Sequence, residues 1–129
     1  MDEQRFEDLY RSAVRYRKAS PQLKALLRDV YDGVVNRPPD LAGLKNALVS
    51  LLEFLCTSGG RTDANCCTTD ALCSAVDEWE RSWSDLPADF RSILDDLGGV
   101  LHDAVYAPQI ARAFESLPEQ LLERVRGLL

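Results

Sequence analysis

The sequence predicts an all-α fold: an antiparallel bundle of four or five helices plus one or two short C-terminal helices, in a single domain over residues 1–129. Three observations predict it. Apolar residues recur every three or four positions along successive stretches, the spacing that gathers them on one face of a helix. Serine, threonine or aspartate followed by proline or an acidic residue separates those stretches, as helix starts do. No alternation of period two runs long enough to make a strand, so no sheet is expected.

Taken in order, residues 3–18 give a first helix, with Phe6, Leu9, Tyr10, Ala13 and Val14 on its buried stripe. Its acidic residues come early and Arg15, Arg17 and Lys18 come late, an order that suits the helix dipole. Ser20-Pro21 reads as a cap followed by proline at the first helical position. Leu23, Leu26, Leu27, Val30, Tyr31 and Val34 follow, and Arg37-Pro38-Pro39 ends this second helix. Asp40 caps a third helix that runs to about Thr57 along Leu41, Leu44, Leu48, Leu51, Leu52 and Leu55. Only Lys45 and Glu53 are charged inside it, so it is expected to be the most buried helix. Gly59 and Gly60 are expected to supply the positive φ that ends it.

The stretch 62–83 organises the chain. Read as one helix, it places Leu72, Ala75, Val76, Trp79 and Trp83 on one stripe. Nearer its start the same face carries Asn65, Thr68 and Thr69, polar groups that need partners once they are buried. Ser84-Asp85-Leu86-Pro87 opens a fifth helix to about Tyr106, with Phe90, Ile93, Leu94, Leu97, Leu101, Ala104 and Val105 inward and Gly98-Gly99 interrupting it. A short helix follows Ala107-Pro108, and Ser116-Leu117-Pro118-Glu119 carries the capping box of a last one, with Leu121, Leu122, Val125 and Leu128 inward. Leu26, Leu48, Leu52, Leu72, Trp79, Leu97 and Leu101 are expected among the most buried residues.

Composition bounds the function. The 129 residues are 46% hydrophobic and 28% charged, ordinary values for a globular domain. No apolar run approaches the ~20 residues of a membrane span, and the N-terminus lacks a secretory pattern, so a cytoplasmic protein is expected. The net charge is −6. Residues 1–60 hold nine basic and eight acidic side chains (+1), and residues 61–129 hold six and thirteen (−7). An acidic balance disfavours nucleic acid and anionic membrane as partners. The asymmetry also suits two copies packing head against tail.

Candidate chemistry is sparse. Cys66, Cys67 and Cys73 with His102 form the one soft-metal set, but their spacing is not that of a zinc ribbon. Cys66 and Cys73 lie two turns apart, too far to share one ion, and Cys67 projects in another direction. Cys56 lies near enough to Cys66 in sequence for a reversible disulfide, which a reducing compartment opposes. A di-iron bundle needs Glu-x-x-His pairs that are missing here, and there is no EF-hand loop. The lone His102, near Asp95 and Asp103, is a conceivable general base.

Three functions are compatible with these residues. The leading one is a non-enzymatic protein–protein interaction module or homodimer, with no catalytic residue, metal or cofactor. The second is a ligand or catalytic pocket at Arg61, Asn65, Thr69, Cys66 and His102. There Arg61 would hold an anion, Asn65 and Thr69 would orient it, and His102 would exchange a proton. The third is a cysteine-based metal or redox sensor.

Overall fold

A computed structural model describes residues 3–14, 18–74, 81–106 and 117–128, with the side chains of 3, 63, 74, 98–106, 117 and 118 outside the description. It contains helices α1 (Glu3–Val14), α2 (Pro21–Val35), α3 (Leu41–Cys56), α4 (Asp63–Ser74), α5 (Ala88–Tyr106) and α6 (Leu117–Arg126). A helical turn spans 81–83, and there is no strand among the described residues. The chain is all-α, as its periodicity predicts. The helix expected over 62–83 is described in two pieces, so Val76 and Trp79 lie outside the described residues, as does the short helix expected after Pro108. Gly98-Gly99 do not interrupt α5, whose helical backbone continues through them.

The helix ends follow local chemistry, with two corrections. Pro21 occupies the first turn of α2, but the Ser20 side chain does not cap that helix. Its hydroxyl instead accepts from Asn65 Nδ2 at 3.1 Å. Asp40 does cap α3, where its Oδ1 accepts from Gly43 N at 2.9 Å. The expected positive-φ glycine is not found: α3 ends at Thr57 in an extended conformation, and no described glycine has positive φ.

Each helix packs chiefly against two others, in a closed ring α1–α2–α3–α6–α5–α4–α1. One continuous apolar cluster fills its inside, from Phe6 through Leu23, Leu48, Leu72 and Phe90 to Val125. Leu48, Leu52, Leu72 and Leu97 are fully buried, as expected. Leu26 is only partly buried, because α2 centres its inner face on Leu23, Leu27, Val30 and Val34 and leaves Leu26 at the margin. Gly33 lets α2 and α3 approach closely: a Cβ there would lie 3.0 Å from Leu44 Cα.

Contrary to expectation, α3 is not the most enclosed helix. It keeps Asn46, Ser50 and Glu53 in solvent, whereas Asn65, Cys66, Cys67, Thr68 and Thr69 of α4 are buried in succession. Small side chains allow this. A helix carrying asparagine, cysteine and threonine is thin enough to be covered on several sides, so Cys67 is buried like Cys66 and Cys73.

Polar clasps hold the ring from outside. Arg37 donates to Asn36 O at 3.0 Å and to Ser82 Oγ at 2.9 Å, and pairs with Asp85 at 3.3 Å. It thereby ties the end of α2 to the turn before α5. Lys45 Nζ donates to Leu128 O at 2.6 Å, and Arg126 reaches Glu53 at 3.2 Å, which fastens α6 along α3.

Candidate functional site

The polar cluster singled out by sequence sits where the α3–α4 connector turns back. Gly60 is buried, and its N–H donates to Thr57 Oγ1 at 2.9 Å. Its carbonyl accepts from Thr62 N at 3.0 Å and Asn65 Nδ2 at 2.9 Å. Thr62 caps α4, with Oγ1 accepting from Asn65 N at 3.1 Å. The Asn65 side chain then bridges to the segment before α2. Its Oδ1 accepts from Ser20 N at 2.9 Å, while Nδ2 donates to Ser20 Oγ and Gly60 O. Asn65 is fully buried, and both ends of its amide are engaged within the chain.

The other candidates divide. Thr69 Oγ1 donates back along the helix to Asn65 O at 2.8 Å. Cys66 is buried on the same helix. Arg61 lies outside this lock. Its Nε donates to Leu55 O at 3.0 Å, and its guanidinium binds the Glu119 carboxylate at the start of α6. Asn65, Cys66 and Thr69 are thus brought together on α4, and Arg61 points to α6. The His102 side chain lies outside the described residues, so its place relative to Asn65 is not part of this geometry. Thr68 Oγ1 is buried with no hydrogen-bond partner among the described residues.

Sequence reading missed Ser20, Gly60 and Glu119 as members of these contacts. Ser20 resembles a cap because Pro21 follows it, and Glu119 resembles half of a capping box. Nothing local announces that either reaches a distant segment.

The electrostatics oppose nucleophilic chemistry at Cys56 and Cys73. None of the four cysteines is in a disulfide. Burial, reinforced by the Asp70 and Asp95 carboxylates, pushes the Cys73 thiol up to about 12. Burial and then Glu119 raise Cys56, and the nearby Arg61 offsets them only in part. A thiol so shifted is protonated at neutral pH and weakly nucleophilic. No group of three or more histidine, cysteine, aspartate or glutamate side chains is arranged to hold a metal among the described residues.

No family model, curated protein or solved structure matches the chain.

Arg61 and Glu119 make a pH-dependent clasp between the end of α3 and the start of α6. Burial alone would raise the Glu119 carboxyl, but its hydrogen bond and charge contact with Arg61, with help from its own backbone N–H, leave it below the ordinary value. A carboxyl depressed in the folded state stabilises the fold above its unfolded value of about 4.3, and that stability is lost as pH falls through the folded value. The two side chains are 32% and 48% exposed, so solvent screening holds the contribution under about 1 kcal/mol. Glu119→Gln is expected to lower stability slightly at neutral pH. In urea titrations the gap from wild type should narrow as pH falls below about 4.3 and close as it passes through the depressed folded value of the carboxyl.

Proposed function

We propose that the protein is a non-enzymatic helical interaction module that associates with a second copy of itself. One observation supports this over a ligand pocket. Asn65, on which a pocket at the start of α4 depends, has its amide oxygen and nitrogen engaged by Ser20 and Gly60. Groups so engaged lock the fold, and a ligand would have to displace bonds the fold already makes. The working surface is then the outside of the helix ring.

No helix among the described residues is long and apolar enough to cross a membrane. Four cysteines outside any disulfide suit a reducing cytoplasm, the compartment this proposal assigns to the protein. Size-exclusion chromatography with light scattering, from low micromolar to near-millimolar protein, tests self-association. The mass should rise with concentration toward twice the monomer mass. A monomer mass throughout would remove the self-association reading.

A further inference from the structure

The solvent face of α5 carries a charge pattern that complements itself. Ala88, Arg91, Ser92, Asp95 and Asp96 line a groove of about 530 Å³ walled at one end by Trp83. The opposite face of the helix, through Phe90, Ile93, Leu94 and Leu97, is buried in the core. Within the groove, Asp96 and Ser92 are already held by Arg124 of α6. Arg91 and Asp95 are both exposed, and neither has an ion-pair partner among the described residues. They stand one helical turn apart, about 6 Å along the axis.

We propose that this face is the contact between two copies of the chain, with the α5 helices antiparallel across a two-fold axis between Arg91 and Asp95. Asp96 is neutralised by Arg124, so the two remaining charges of the groove are one cation and one anion a turn apart, and inverting the face sets each against its opposite. Arg91 meets the partner's Asp95, and Asp95 meets the partner's Arg91. That reciprocity is what an isologous contact requires. A partner of uniform charge lacks the match, because it would attract one of the two residues and repel the other. Ala88 and Ser92 are small and exposed, so they let the second helix come near. The half-buried Trp83 indole adds apolar area at the rim, the kind of residue that anchors protein contacts. The proposal rests on the self-association reading above and names its surface.

The test is a charge exchange followed by light scattering on the full chain. Arg91→Asp puts carboxylates at both positions, and Asp95→Arg puts guanidinium groups at both. Each variant alone should associate at least about tenfold more weakly than wild type, because like charges now oppose each other across the axis. An equimolar mixture of the two variants should regain association, and so should the chain carrying both changes. Both positions are exposed, so thermal melts of the monomers should match wild type. If wild type associates and the single variants associate equally well, the α5 contact is wrong while self-association stands. If wild type is monomeric across the range, both readings fall. Single variants that weaken association without recovery in the mixture also overturn the pairing.

Discussion

Gly60→Ala is expected to destabilise the protein by about 3 kcal/mol, near the upper end for forcing an extra group into a packed site. A Cβ at that position would lie 1.9 Å from the Phe54 carbonyl oxygen and 2.9 Å from Thr57 Oγ1. The nearer atom is helix backbone, so relief requires moving either the last turn of α3 or the connector. Moving the connector drags the Gly60 carbonyl away from Asn65 and Thr62, so the clash and the polar lock fail together. The neighbouring glycine is the control. A Cβ at Gly59 meets nothing within 4 Å, and its φ is not positive. Gly59→Ala should therefore be neutral or stabilising by about 0.5 kcal/mol, through the loss of unfolded-state freedom. Urea midpoints of the two variants, measured side by side, check the contrast. Equal effects would refute close packing at Gly60.

Asn65→Ala is expected to cost about 3 kcal/mol by a different route. It strands the Ser20 N–H in a part-buried site, at about 1–3 kcal/mol, and takes from the buried Gly60 carbonyl one of its two hydrogen bonds, leaving the one from Thr62 N. Asn65→Asp keeps the volume and an acceptor for Ser20 N–H but loses the donor to Gly60 O, and it buries a charge. Its carboxyl would have a raised folded-state value, so the penalty is small below the unfolded value of about 3.9 and grows as pH rises above it. Thermal melts near pH 4 and pH 7 separate the two variants. The Asp variant should fall further behind wild type at the higher pH, and the Ala variant should hold a constant deficit.

The helices were legible because their signals are local. The Leu44–Leu48–Leu51–Leu55 spacing, the Asp40 cap and the Pro21 start each act within one or two turns, and the fold keeps them. What escaped reading is contact made at a distance. Gly60 looked like a residue chosen for its φ, and its actual constraint is the approach of the Phe54 carbonyl, visible only once the connector folds back. The enclosure of α4 was equally hidden. Its polar and sulfur-bearing residues give a weak apolar stripe, and only neighbours on several sides reveal that it is buried. The grouping of Asn65 and Thr69 was legible from helical spacing, but their partners were not, since Ser20 lies 45 residues from Asn65. Arg61 lay close in sequence yet faces α6, a direction that periodicity does not encode.

The closed ring sets an order on synthesis. α6 joins α3 to α5, and it is the last of the six described helices to leave the ribosome. Until it emerges, the nascent chain leaves uncovered the leucines of α3 and α5 that Leu121 and Val125 pack among, and chaperone capture would act on that arc.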